Sequence, residues 1–474
     1  MNDYIDNKKF ILIFYIFYMK GYKIILPSIA IIILVNIFSG CITDDVNISL
    51  QPEIADSDND GVQDNYDHCP DIPGSIYNNG CPEEQAQTPT MSPSTQAPTT
   101  VAPTSISPPT TAPTTQPTST SPAVVISLET TDWPMEAYDI SRSGITSSTG
   151  VATYASLWAT QRQDSFSSSP IVAYGKVYVG TEDGYLICYD KLTGNEIWNY
   201  KTSARILSTP TIYREKIYFG SYDGYAYCLD AYTGDYVWSH NTGAIRGAPL
   251  VHNNMAYITS FDQNIYCISS EDGVVLWSYL ADGLILGGAA YADGYVFFGD
   301  DTGTMYSLNH MDGSLNWKNF IDSAGSIYSN PCVTDDSVYF GSTNHDVYRL
   351  NKDDGTVVWK MSTKYPVRSS PIYYNNSVYV GAEDKFFYCI NSADGSVRWL
   401  KMCDSGISAS PSISNNKVYF MSLEGNLYCL DAGNGSEQWV YTAQFGPDGW
   451  SSSSIAISES YAYFSAYSLL YCIG

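Results

Sequence analysis

Asp56, Asp58, Asp60, Asp64 and Asp67 form the most chemically suggestive cluster in this 474-residue chain. They stand at positions 1, 3, 5, 9 and 12 of a twelve-residue stretch, with Gly61 at position 6, where such a loop must turn sharply. Carboxylates at this spacing suit Ca2+, a hard cation that collects oxygen ligands. An acidic, solvated linker is the competing reading. Arg246 and Arg368 are the second candidates, each three residues before a proline, Pro249 and Pro371. If those prolines lead into strands that line a channel, the two arginines face each other across it. They would then offer positive charge to an acidic partner or ligand, unless each pairs with a local carboxylate. No catalytic residue is assigned, because His68, His240, His252, His310 and His345 show no metal-ligand spacing and no nucleophile motif accompanies them.

The elements that must position these residues are repeats. Trp158, Trp198, Trp238, Trp277, Trp317, Trp359, Trp399 and Trp439 are spaced 40, 40, 39, 40, 42, 40 and 40 residues apart. A period of about 40 residues with strand-like content denotes propeller blades. From Trp198 onward a glycine stands four residues before each tryptophan, as in Gly194 and Gly234, and supplies the positive φ of a hairpin turn. Alternating runs such as KVYVG (176–180) and turn pairs such as Asp183-Gly184 supply the other strands. Small residues ending in proline, as at Pro170, Pro210 and Pro411, suit an innermost strand crowded around a channel. One unit is therefore a four-stranded antiparallel blade.

Eight such units occur, but the last stops at Gly474 without its own tryptophan, whereas the Trp158 strand has no complete blade before it. The expected fold is all-β, an eight-bladed propeller whose final blade is completed by the N-terminal Trp158 strand, leaving no open edge. Cys188, Cys228, Cys267, Cys389, Cys429 and Cys472 share one register in the third strand of six blades. Blades pack roughly 10 Å apart, beyond the ~4.4–6.8 Å Cα separation of a disulfide, so these thiols are expected to be reduced and buried. Cys332 and Cys403 lie outside the register.

Composition divides the rest. Met19 to Cys41, with its basic start, apolar run Ile24 to Phe38 and Ser39-Gly40-Cys41, resembles a lipoprotein signal peptide with Cys41 as the lipidated residue. An uncleaved signal anchor is the alternative, and either reading places the remainder outside the membrane, anchored to its outer face. Residues 85–128 are rich in Thr, Pro and Ser and form a stalk; their polyproline II reach is on the order of 100 Å. The resulting organisation is a signal or anchor at 1–41, a calcium module at 42–84, the linker at 85–128 and the propeller at 129–474. A net charge of -26 opposes nucleic-acid binding, whose phosphates demand the opposite sign.

Two resemblances extend this reading. Asp56 to Pro82, with Cys69-Pro70 and Gly80-Cys81-Pro82, resembles a thrombospondin type 3 calcium repeat. That resemblance implies ligands at Asp56, Asp58, Asp60, Asp64 and Asp67 with the Val62 carbonyl, and a Cys69–Cys81 disulfide. Trp133-Pro134-Met135, then Asp139, Arg142 and Gly144, followed by DxxTGxxxW units such as Asp190 to Trp198, resemble the pyrroloquinoline-quinone-like (PQQ-like) propeller superfamily over about Trp133 to Gly474. The resemblance implies tryptophans docked between neighbouring blades. The superfamily holds both quinoprotein dehydrogenases and non-catalytic scaffolds, among them a lipoprotein of outer-membrane assembly machinery. Its dehydrogenases carry a disulfide between adjacent cysteines, and strand insertions that build the active site. Here no two cysteines are adjacent and the repeat spacing leaves almost no insertion. The expectation is a non-catalytic scaffold for a protein partner or ligand, with Ca2+ in the N-terminal module and no PQQ. The alternatives are a PQQ-dependent dehydrogenase and a calcium-dependent surface adhesion protein.

Overall fold

A computed structural model of the protein describes residues 132–152, 154–321, 325–444 and 453–474. Cys41, the aspartates of the calcium loop with Val62, and Cys69 and Cys81 lie outside these residues, as do the anchor, module and linker assigned to them. Eight sheets make up the described chain, each a four-stranded antiparallel blade and one of them extended by a fifth, parallel strand. After β1 (Ile145–Thr146) and β2 (Ser156–Gln161), the first blade runs β3 (Ile171–Ala173), β4 (Lys176–Gly180), β5 (Tyr185–Asp190) and β6 (Glu196–Lys201). Six more blades repeat this order, and the eighth consists of Ala456–Ser458, Tyr461–Ala466 and Leu469–Ile473, with β2 as its outermost strand. The ring is thus closed by the N-terminal strand, Trp158 pairing with Cys472.

One row of residues across each blade explains the periodicity. In the first blade Ile171 pairs with Tyr178, Tyr178 with Cys188, and Cys188 with Trp198. The middle strands are buried on both faces, whereas the outermost strand buries little beyond its tryptophan. That tryptophan docks on the next blade. Trp198 Nε1 and Tyr178 Oη both donate to the Ala231 carbonyl, at 3.3 and 3.0 Å, so one acceptor holds two side chains across the seam. Trp238 and Tyr218 repeat the arrangement on the Ser270 carbonyl, both at 3.1 Å. The turn glycine serves the same contact from the other side. Gly355 has a φ of 72°, and a Cβ there would lie 2.5 Å from Trp317 Cε3. Glycine is therefore required by docking as well as by turn geometry. The seam between blades 7 and 8 differs: Trp439 Nε1 has no hydrogen-bond partner among the described residues, and Tyr154 packs on its ring at 5.7 Å.

The small-residue runs do not themselves form the innermost strands, contrary to the sequence expectation. Residues 167–170 are a loop, and β3 begins after Pro170. Proline lacks an N–H and fixes its own φ, so it suits the entry to a strand rather than its middle. All eight cysteines of the propeller are reduced and buried, Cys332 in an innermost strand. Burial pushes the thiols of Cys188, Cys228, Cys267, Cys429 and Cys472 up to about 12, which keeps them protonated and unreactive.

Candidate ligand cavity in the propeller channel

The segment from Trp133 to Gly150 decides what the channel can hold. It threads along the innermost strands rather than outside them. Trp133 exchanges backbone hydrogen bonds with Val172 at 2.7 and 2.8 Å, and the Pro134 carbonyl accepts from the Ile212 amide at 2.8 Å. Further along, Ile140 accepts from Tyr291, Ser141 from Val333 and Gly144 from Ile413. β1 then adds in parallel to Ser412–Ser414, and Gly150 donates to Glu459. Six of the eight blades are stitched together by one strap.

Arg142 pins this strap. Its side chain is fully buried and donates three hydrogen bonds to carbonyls: Nε to Ala289 at 3.0 Å, Nη2 to Ala248 at 3.1 Å and Nη1 to Glu136 at 2.9 Å. Burial lowers the guanidinium pKa, and the nearby Glu136 and Asp139 carboxylates oppose that shift.

The residue preceding each blade's proline, or the equivalent position before Ala289 and Ile455 in blades 4 and 8, builds a collar. Ser169, Thr209, Ala248, Gly288, Asn330, Ser370, Ser410 and Ser454 occupy this place in blades 1 to 8. Around five seams the backbone N–H of one collar residue donates to the side-chain oxygen of the next. Gly288 donates to Asn330 Oδ1, Asn330 to Ser370 Oγ at 3.0 Å, Ser370 to Ser410 Oγ at 3.2 Å, Ser410 to Ser454 Oγ at 3.2 Å and Ser454 to Ser169 Oγ at 2.9 Å. The collar loses its polar side chains at Ala248 and Gly288, and there the Arg142 guanidinium enters from below; a Cβ on Gly288 would lie 3.1 Å from Arg142 Nη2. Sequence reasoning read these positions only as small. The signal it missed is that five of them, Ser169, Thr209, Asn330, Ser370 and Ser410, are polar residues directly before proline.

Six collar residues and Glu136 of the strap line a cavity of about 400 Å3, together with Glu182, Arg246, Tyr328 and Arg368. The two arginines belong to blades 3 and 6 and converge on one ring: their Cζ atoms lie 5.5 and 5.2 Å from the Tyr328 centroid. Such a guanidinium–aromatic contact is favourable by roughly 0.5–2 kcal/mol. The two differ in partnership. Arg368 forms an ion pair with Glu383, whereas Arg246 Nη1 donates to the Leu286 carbonyl at 3.1 Å and forms no ion pair among the described residues. Tyr328 had no part in the sequence reading. The histidines of the propeller lie elsewhere, with the His252 and His310 rings both packed against Tyr291, at 4.3 and 5.3 Å. No cluster of three or more potential metal ligands occurs among the described residues.

A closed eight-bladed ring with interblade tryptophans defines a PQQ-type propeller. The family model described as outer membrane protein assembly factor BamB matches residues 143–244, 215–286, 281–372 and 343–466, and the chain belongs to that family. No curated protein matches the chain by sequence. Among solved structures, BamB from Moraxella catarrhalis is 14% identical with a TM-score of 0.58, covering 68% of this chain and 99% of that one. The computationally designed Ika8 protein is 17% identical with a TM-score of 0.60, covering 67% and 98%. Quinohemoprotein alcohol dehydrogenase from Comamonas testosteroni is 14% identical with a TM-score of 0.62, covering 72% and 80%. At these identities the likeness is one of fold, and the fold serves both an assembly factor and an enzyme.

Proposed function

We propose that this protein is a non-catalytic propeller scaffold on the outer face of a membrane, where it binds a protein partner. The observation that carries the reading is a series of exposed apolar side chains on the outermost strands of the blades. Leu276 and Leu280 lie on the third, Phe320 on the fourth, Val358 on the fifth and Leu400 and Met402 on the sixth. The series continues with Ile197 and Val237 on the first two blades and Leu157 on the eighth, and exposed apolar side chains on neighbouring strands suit contact with another protein. Membership of the BamB family supports the same reading, because the family description is of an assembly factor. In this proposal Cys41 or the preceding apolar segment holds the chain to the membrane. The Asp56 to Asp67 loop binds Ca2+, and residues 85–128 set the propeller at a distance.

The cavity residues do not fit a stacked quinone cofactor. Among the described residues no cysteine lines the cavity, and the Tyr328 ring that could stack against a planar cofactor already carries guanidinium groups. The test has two arms on the full-length protein. Photo-crosslinking residues placed at Phe320 and Leu400 are expected to trap one discrete protein on intact cells, and Met402→Asp is expected to abolish the adduct. Saturable PQQ binding with Ca2+ present, followed by alcohol-dependent dye reduction, would overturn the proposal in favour of a dehydrogenase.

A further inference from the structure

We infer that the channel collar is a binding site for a small oxyanion, a sulfate, phosphate or carboxylate group free in solution. The hydrogen-bonding capacity that the collar has left determines what it can bind. A serine hydroxyl can donate one hydrogen bond and accept others. In Ser169, Ser370, Ser410 and Ser454 the oxygen is already engaged as acceptor of the neighbouring blade's N–H. Among the described residues none of these four hydroxyls donates a hydrogen bond within the protein, and all four line the cavity. Their O–H groups are thus directed to whatever the cavity holds. Thr209 lines the same cavity and its hydroxyl makes no hydrogen bond among the described residues. The collar therefore offers donors, and a ligand that brings only acceptors matches it. Oxyanions are such ligands, and a hydrogen bond between a hydroxyl and an ionised oxygen is about twice as strong as its neutral counterpart.

Charge points the same way. Two carboxylates line the cavity: Glu182 lies 3.8 Å from Arg205, and Glu136, whose backbone carbonyl accepts from Arg142, forms no ion pair among the described residues. Arg368 is engaged by Glu383. Arg246 is left with a single carbonyl contact and its place over Tyr328, a cation presented to the cavity without a carboxylate of its own. In a chain of net charge -26 this local arrangement runs against the overall field. A volume of about 400 Å3 accommodates sulfate with water, or a dicarboxylate such as succinate.

Calorimetric titration of the full-length protein with sulfate, phosphate and succinate at constant ionic strength tests the site. Saturable 1:1 binding is expected for at least one of them. Arg246→Met is expected to weaken it by about tenfold or more, since a hydrogen bond to a charged group is lost. Thr209→Val keeps the shape and leaves every collar hydrogen bond in place; it is expected to weaken binding several-fold without shifting the thermal midpoint. That second variant reads the site even where Arg246→Met fails to fold. Absence of saturable binding by all three anions, equal affinity in Thr209→Val, or stronger binding of a neutral polyol such as glycerol would overturn the inference. None of these outcomes depends on the protein partner proposed above.

Discussion

Replacing Arg142 by methionine should unfasten the strap from the channel while leaving the blades folded. The side chain is wholly buried and supplies three donors to the carbonyls of Glu136, Ala248 and Ala289. A hydrogen bond to a charged group contributes roughly 1.5–3 kcal/mol, and methionine of similar volume provides none. Against this stands the relief of a buried charge, worth several kcal/mol, which offsets part of the loss. A net cost of about 2–4 kcal/mol follows, carried mainly by the three carbonyls left without a donor. This loss falls on opening of the strap, so hydrogen exchange is the appropriate assay. The amides of Tyr291, Val333 and Ile413 donate to Ile140, Ser141 and Gly144, which flank Arg142 in the chain. Their exchange should accelerate by about 30- to 1000-fold, whereas amides in the middle strands, such as Tyr178, should be unchanged. Arg142→Lys, which keeps the charge and part of the donor set, should fall between. Equal protection at all three amides in a folded Arg142→Met protein would refute the assignment of Arg142 as the pin.

Two further predictions follow from the blades. Trp317→Ala should cost about 3–5 kcal/mol, and Gly355→Ala should also destabilise the same seam, because its Cβ meets the Trp317 ring; urea unfolding of each single variant and of the pair should show losses that do not add. Asp394 in the turn before Trp399 is held below the usual carboxylate range by the Ser396 hydroxyl and amide. A depressed carboxyl stabilises the fold above its unfolded value of about 3.9 and loses that contribution as pH falls through the folded value, so Ser396→Ala should lower the urea midpoint at pH 7 and progressively less toward pH 3. A constant difference across that range would contradict it.

The repeat determined most of the architecture by itself. A tryptophan returning every 39 to 42 residues, a glycine four residues before all but the first of them and a proline leading into six of the eight units are local features of a blade, and each is written in consecutive residues. Ring closure was also legible, because a strand lacking a blade and a blade lacking a strand leave one consistent pairing, Trp158 with Cys472. The candidate site was legible only in part. Arg246 and Arg368 could be placed near the channel from their distance to proline, but their convergence on Tyr328 joins three blades that share no local sequence relation. The collar likewise exists only between neighbours: Ser370 and Ser410 each look like a small residue until the N–H of one meets the hydroxyl of the other, 40 residues along the chain. Arg142 illustrates the limit most plainly. In the sequence it is one residue of a family motif, yet ring closure leaves a gap at Ala248 and Gly288 that its guanidinium fills. Periodicity determines what repeats, because each blade solves the same packing problem; the tertiary ring decided the channel, where eight unequal copies of one position meet.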